Sequence, residues 1–254
     1  MKITFLGTGT SQGIPVIGCE CEVCQSSDDK DKRLRTSILV ETNGKKIVVD
    51  VGPDFRQQML RAKVKKIDGI VLTHEHTDHI IGLDDVRPFN FRYEMDMPVY
   101  GLARVNNDLK ERFSYIFSNS NYPGLPRVIL NEIDKNTVFE VAGVPIQPIE
   151  IIHGRLPILG FRFDNFTYLT DIKTISEEAA EKVKGTEYLV VSALRKEEHF
   201  SHFTLQEALD FIQKMQPKHA YLTHLSHSMG RQAIVQAELP DNVTIAYDQL
   251  TIET

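Results

Sequence analysis

His74-Glu75-His76-Thr77-Asp78-His79 follows the apolar run Asp68-Gly69-Ile70-Val71-Leu72-Thr73. Three imidazoles and a carboxylate confined to one short stretch are hard to explain as packing. Neutral imidazole suits zinc and similar divalent ions, and a carboxylate adds charge and can hold a second ion. If a strand ends at Thr73, the alternating residues His74 and His76 can point one way, while the turn that follows presents Asp78 and His79 another way. One segment could then serve two adjacent metals. The plain alternative is a polar surface loop that happens to be rich in histidine, and the density of ligand-type side chains weighs against it.

Upstream, Lys2 to Leu6 reads as a strand running into Gly7-Thr8-Gly9-Thr10-Ser11-Gln12-Gly13. A glycine-rich turn can bring backbone N–H groups close to an anion. The lysine of a Walker-type phosphate loop is absent and no helical pattern follows, so the stretch reads chiefly as a tight turn near the site. Cys19, Cys21 and Cys24 come next, spaced Cys-x-Cys-x-x-Cys. Three cysteines, an odd number, do not make a disulfide framework. A closed tetrahedral zinc site with a fourth ligand elsewhere is the economical use, and three free thiols are the alternative. Such a site would staple the loop around residues 18–36, whose polar run Gln25 to Arg35 has little else to order it.

Ser37 to Thr42 and Lys45 to Val51 read as a hairpin across Asn43-Gly44, a dipeptide suited to a type I′ turn. Asp50 closes that second strand and reads as a residue orienting a histidine or a metal-site loop rather than as a ligand. Pro53 to Val64 has a helical pattern with proline in its first turn. Gly82 to Arg87 reads as a short helix, Met97 to Gly101 as a strand, Asn106 to Phe117 as a helix and Ser118 to Pro126 as a loop. From Val128 the pattern is largely β. Val144 to Ile152 ends at His153. Phe161 to Thr170, broken around Asp164-Asn165, ends at Asp171. Tyr188 to Ser192 is another strand, and Lys218 to Thr223 ends at His224. Val71-Leu72-Thr73-His74, Tyr168-Leu169-Thr170-Asp171 and Tyr221-Leu222-Thr223-His224 rhyme. Each is a short strand finishing in Leu-Thr and then a ligand-type residue, and strand ends on one sheet edge converge. Helices fit Ile175 to Val183, capped by Ser176, and Thr204 to Met215, where Thr204 and Glu207 form a capping-box pattern. No Pro/Ser-rich linker interrupts the chain. The expectation is one α/β domain over residues 1–254, with two β-rich halves facing one another, helices outside and the site at the shared edge.

The 254 residues are ample for a substantial core, and 41% hydrophobic with 25% charged residues is an ordinary globular balance. A net charge of −6 gives no general attraction to nucleic acid beyond small nucleotides. No apolar run is long enough for a transmembrane helix, and Met1 to Gly7 lacks a signal peptide's apolar core, so a cytoplasmic location with no membrane partner is expected.

In their order, His74-x-His76-x-Asp78-His79, His153, Asp171 and His224, together with Asp50, resemble the motifs of the metallo-β-lactamase fold hydrolases. That resemblance implies a four-layer αβ/βα sandwich with a dinuclear site. One ion would take His74, His76 and His153, the other Asp78, His79 and His224, and Asp171 would bridge them. A narrower resemblance rests on Cys19, Cys21 and Cys24 before the hairpin and on His227 in Thr223-His224-Leu225-Ser226-His227. These are similar to the PhnP group of cyclic phosphodiesterases, which implies a Cys3His structural zinc with His227 as fourth ligand. A surface histidine at a helix start is the alternative for His227. In His199-Phe200-Ser201-His202-Phe203, His202 better matches a histidine that such phosphodiesterases keep near the leaving group, and His199 is its competitor.

The resemblance therefore implies hydrolysis of small, including cyclic, phosphodiesters by a metal-bridging hydroxide, with Asp78, Asp171 and His202 as catalytic residues. It implies two divalent ions at the active site (zinc or manganese, with iron as a third option), a structural zinc, and a homodimer. A protonated His202 would donate to the leaving alkoxide. Rivals are thioester or lactone hydrolysis, tRNA 3′-end processing of the ribonuclease Z kind, a role like that of the pyrroloquinoline-quinone biosynthesis B-type proteins, and a non-hydrolytic metal-binding module. Only 17 residues separate His153 from Asp171, which leaves no room for the long RNA-clamping arm of the tRNA-processing enzymes.

Overall fold

A computed structural model describes residues 1–118 and 122–254. Strand β1 (Lys2–Gly7) leads through the cysteine-rich loop to β2 (Ser37–Thr42) and β3 (Lys45–Val49). Asn43 and Gly44 between them sit at φ 51° and 72°, the pair of left-handed residues that a type I′ turn demands. The second strand stops at Val49 rather than Val51 because Asp50 turns out of the ladder at φ 64°. Helix α1 (Phe55–Arg61) begins two residues later than its proline suggested, since the Asp54 carboxylate accepts from the Arg35 backbone N–H at 2.8 Å instead of capping the helix. There follow β4 (Gly69–Val71), α2 (Thr77–Ile80), a 3-10 turn over Ile81–Val86, α3 (Arg87–Tyr93) and β5 (Met97–Gly101). Helix α4 (Ala103–Arg112) starts earlier than expected, straight after the strand, and buries Val105 and Leu109 against the sheet. The loop expected over Ser118 to Pro126 includes 119–121, which lie outside the described residues.

The second half holds β6 (Val128–Glu132), β7 (Phe139–Val141), β8 (Val144–His153), β9 (Leu156–Phe163), β10 (Phe166–Leu169), α5 (Glu177–Glu181), β11 (Tyr188–Ser192), α6 (Leu205–Met215), β12 (His219–Thr223), α7 (Gln232–Gln236), β13 (Val243–Ile245) and β14 (Thr251–Glu253). Ser176 caps α5 by accepting from the Ala179 N–H, and Thr204 with Glu207 forms the expected capping box on α6. Two seven-stranded sheets result, ordered β14-β1-β2-β3-β4-β5-β6 and β13-β12-β11-β10-β9-β8-β7. Each is mixed. The first changes from antiparallel to parallel at β3, the second at β10.

Three apolar clusters define four layers. Ile3, Phe5, Val49, Leu159, Phe161 and Tyr168 belong to the cluster between the sheets. Phe55, Phe89, Val105 and Leu109 pack helices on the outer face of the first sheet, and Ala180, Phe211, Ile212 and Val235 do so on the second. Each fully buried aliphatic or aromatic side chain contributes about 1.5–3 kcal/mol, so the helices are held chiefly by these faces. The architecture is the αβ/βα sandwich of the metallo-β-lactamase fold. No helix among the described residues is long and apolar enough to cross a membrane.

Candidate metal centre

The parallel strands deliver their C-terminal ends to one rim, and the ligand-type residues sit where those strands stop. His74 follows β4 by way of Leu72-Thr73, His153 ends β8, Asp171 follows β10, and His224 follows β12. His76 is the residue before α2, while Asp78 and His79 lie in its first turn. The donor atoms of His74, His76 and His153 all lie within 4.8 Å of one another. So do those of Asp78, His79 and His224, and those of His74, His79 and Asp171. The rhyming Leu-Thr segments therefore do converge, one from the first sheet and two from the second.

The threonines of the rhyme hold this cluster in place. Thr73 Oγ1 donates to Asp50 Oδ2 at 2.9 Å and accepts from His74 Nδ1 at the same distance. His79 Nδ1 donates to Asp50 Oδ2 at 2.7 Å, and His153 Nδ1 donates to the Ser201 carbonyl at 2.8 Å. Three imidazoles thus spend Nδ1 on protein oxygens, so Nε2 is the ring nitrogen each would offer to an ion once deprotonated. Asp50 is fully buried and accepts hydrogen bonds from Thr73 and His79, so it orients His79, the kind of role its position at the strand end suggested. Thr170 Oγ1 donates to Asp171 Oδ2 at 2.7 Å, and Thr223 Oγ1 meets Thr36 Oγ1 at 3.2 Å beneath His224. Gly52 allows the closest approach. A Cβ there would stand 2.0 Å from the Asp78 carbonyl oxygen, so the segment after β3 can lie flat against the His-rich turn only as glycine.

Asp171 faces both groups. Its Oδ2 is 3.3 Å from His79 Nε2 and its Oδ1 is 3.2 Å from His224 Nε2, both of the second group, and its carboxylate also stands in ligand-like groups with His74 and with His153 of the first. Burial opposes charge on both His79 and Asp171, yet their neighbours outweigh it. Asp78, Asp50 and Asp171 hold His79 well above the usual imidazole range, and His224 and His79 hold Asp171 well below the usual carboxylate range. Among the described residues, His79 Nε2 and both ring nitrogens of His224 are buried without a hydrogen-bond partner. A buried polar atom left unpaired is costly, and nitrogens aimed at carboxylates in this way fit divalent ions. The donor set, imidazole with a few carboxylates, suits zinc or another first-row ion.

His202 lies at the same rim. Its Nδ1 is 3.4 Å from Asp171 Oδ1, and its ring stacks on that of His224 with centroids 4.9 Å apart. It also makes a further group of possible ligands with His153 and Asp171, a placement the sequence did not suggest. Burial pushes it down to about 3, which favours the neutral imidazole over the protonated donor considered above. His199 stands one step farther out, its Nδ1 taken by the Ser201 N–H at 3.3 Å and by the Ser201 hydroxyl at 3.2 Å. A cavity of about 530 Å³ opens beside the rim, lined by His76, His153, Gly154, Arg155, Leu156, Phe200 and Ser201. A larger one, about 660 Å³, lies among Met1, Thr42, Val138, Arg162 and Thr254, away from every group of ligand-type residues.

The cysteine loop ends at a second centre. The sulfurs of Cys19, Cys21 and Cys24 lie 3.3, 3.4 and 3.5 Å from His227 Nδ1. A tetrahedron with Zn–S of about 2.3 Å and Zn–N of about 2.0 Å has S···N edges of about 3.5 Å, so these four atoms stand where zinc would hold them. The Cys24 N–H draws the Cys21 thiol down to about 6, which favours the thiolate that ligation requires. The glycine-rich turn lies nearby. Leu225 N–H donates to the Thr8 carbonyl at 3.0 Å, and Thr10 N–H donates to the Leu225 carbonyl at 3.0 Å. It serves as a turn packed beside His224.

With this geometry in place, comparison with known proteins is informative. A family model described as the Beta-lactamase superfamily domain matches residues 45–225. The chain belongs to the β-lactamase superfamily. Its architecture is that of the superfamily's metallo-β-lactamase fold hydrolases, whose members hold divalent metals such as zinc. A crystal structure of a diphosphatase from the PhnP family superposes with a TM-score of 0.93 at 39% identity, covering 100% of this chain and 97% of that one. The chain thus resembles the PhnP family, as its Cys-rich loop suggested. A protein named octanoyltransferase from Porphyromonas gingivalis is 41% identical over 252 residues, 98% of this chain and 51% of its own length. Ribonuclease Z of Staphylococcus epidermidis (strain RP62A) is 28% identical over 171 residues, 65% of this chain and 49% of its own length. The chain spans about half the length of these curated relatives.

Proposed function

We propose that this chain hydrolyses small phosphodiesters, including cyclic ones, with two divalent ions at the strand-end rim. The single observation that carries this reading is the paired donor set around Asp171. His74, His76 and His153 would hold one ion, and Asp78, His79 and His224 the other, with Asp171 available to both. Ions so held would supply Lewis acidity toward a phosphoryl oxygen and lower the pKa of a bound water. The residues themselves do the rest. The cavity beside His76 and His153 seats the ester, Asp50 and Ser201 keep His79 and His153 in the orientation that leaves Nε2 free, and Asp78 and Asp171 supply negative charge around the reacting water. Neutral His202 would donate a hydrogen bond to the departing oxygen, a role that does not need an imidazolium. Cys19, Cys21, Cys24 and His227 would hold a structural zinc.

Hydrolysis of a diphosphate, a phosphoanhydride, is a second reading, favoured by the 39% identical PhnP-family diphosphatase. Both reactions place a phosphorus at the same rim. The ribonuclease Z relatives point to RNA, but the whole stretch from His153 to Asp171 is consumed by the turns and strands of β8, β9 and β10, and no arm projects from it. The octanoyltransferase relative is matched over only half its length, so its name does not carry over.

The deciding assay compares an aryl phosphodiester, an aryl phosphomonoester, a dinucleoside diphosphate and an aryl thioester on protein loaded with zinc or manganese. Preference for the diester, reduced on the order of 100-fold in His202→Ala, is the expected result. Diphosphate cleavage without diester cleavage would select the second reading. Thioester cleavage alone would overturn both.

A further inference from the structure

We propose that Arg155 and Phe200 form a clamp that selects a nucleotide bearing a second, non-reacting phosphoryl group; this rests on the phosphodiesterase reading. The two side chains line the 530 Å³ cavity together with His76 and His153, so an ester seated in that cavity lies beside both. Phe200 is 81% exposed, although the three residues that follow it are buried. Its ring is nevertheless held. It leans on the His199 ring, with centroids 4.9 Å apart and planes 31° apart, and its Cε2 would stand 3.6 Å from a Cβ on Gly154. A supported ring with an open face is a stacking platform for a nucleobase, and stacking accepts any base because every base has a π-face.

The backbone of Arg155 is placed as firmly. Gly154 and Arg155 are the two loop residues of the β8–β9 hairpin, closed by the pair His153 and Leu156. Gly154 takes φ 63° while Arg155 does not take a positive φ, which is the type II′ pattern with glycine first. The guanidinium therefore leaves the tip of a tight turn two residues after His153. It is exposed and makes no hydrogen bond or ion pair among the described residues. Contrast Arg104 at the neighbouring Glu75, whose Nε donates to that carboxylate at 3.0 Å. An unpaired arginine on a rigid turn is suited to fork onto a phosphate. With the reacting phosphorus at the rim and the base on Phe200, the group left for Arg155 is another phosphate of the same nucleotide.

Three esters with one leaving group separate the parts: methyl p-nitrophenyl phosphate, thymidine 5′-(p-nitrophenyl phosphate) and thymidine 3′-phosphate 5′-(p-nitrophenyl phosphate). The clamp requires kcat/KM to rise about tenfold at each addition. Phe200→Ala should collapse the first rise, Phe200→Tyr should keep it, and Arg155→Ala should collapse the second, in each case mainly through KM. A flat series in the unsubstituted protein, or equal proportional losses on all three esters, would overturn the clamp. Failure of the metal-loaded protein to cleave any of the three counts against the phosphodiesterase reading instead. The clamp is then judged by binding of thymidine 3′,5′-bisphosphate, and a Kd unmoved by either alanine substitution overturns it.

Discussion

Asp50, Asp171 and His224 take φ values of 64°, 59° and 57°. Left-handed backbone at a non-glycine residue costs on the order of 1 kcal/mol, and here it recurs at the ends of three strands that feed one site. The turn redirects each side chain from the sheet toward the rim. Asp50→Asn keeps the shape but removes the charge that meets His79, so metal affinity should fall roughly 10–100-fold. Competition with a chromogenic chelator measures it, and an unaltered affinity would remove Asp50 from its orienting role. His76 is exposed at the rim, and His76→Ala should lower kcat by roughly a thousandfold or more while the circular dichroism spectrum stays folded; full turnover would sink the site assignment. The ligand-type residues were legible because most are crowded into a single run and the others repeat the same Leu-Thr ending. The downward push on His202 was not, since it arises from burial beside residues as distant in the chain as His153. Nor was Arg155, because an arginine at a turn looks the same in sequence whether it faces solvent or a cavity.

At the scale of elements, local patterns were read well and distant pairings poorly. The capping box at Thr204 and Glu207 is a pattern of four residues, and both of its hydrogen bonds are present, at 3.1 and 2.7 Å. Thr204→Ala should lower stability by about 1 kcal/mol, roughly 2–4 °C in Tm. Thermal unfolding checks this, and no change would mean that the buried face of α6 alone sets its stability. The Asn43-Gly44 turn was equally visible because its chemistry is confined to two residues. By contrast β14 was missed. Its apolar content is one isoleucine, and it exists because Ile252 pairs with Ile3 across the whole chain. The start of α4 was also placed late, since no side chain caps it and the packing of Val105 and Leu109 decides where it begins.

For the molecule as a whole, the four layers meet along one apolar seam, and the rim lies where both sheets present strand ends. The cysteine loop is tied to this frame by Arg33, whose buried guanidinium donates to Thr8 Oγ1 at 2.7 Å and to the Ala246 carbonyl and Gln232 Oε1 at 2.5 Å. The proposed zinc at His227 would be a second tie. Cys21→Ser should reduce bound metal by one equivalent per chain and lower Tm by roughly 10 °C or more, because structural zinc contributes directly to folding free energy. Metal analysis with calorimetry decides it: unchanged metal content and melting would leave the thiols without that role.

The separation in sequence at that centre sets an order of events during synthesis. His227 lies 208, 206 and 203 positions beyond the three thiols it meets. At translation rates of about 5–20 residues per second, the cysteines wait roughly ten to forty seconds for their partner. Through that interval they are reactive sulfurs on an unfinished chain, and if zinc closes the centre as proposed, it is then that an oxidant would find them undefended.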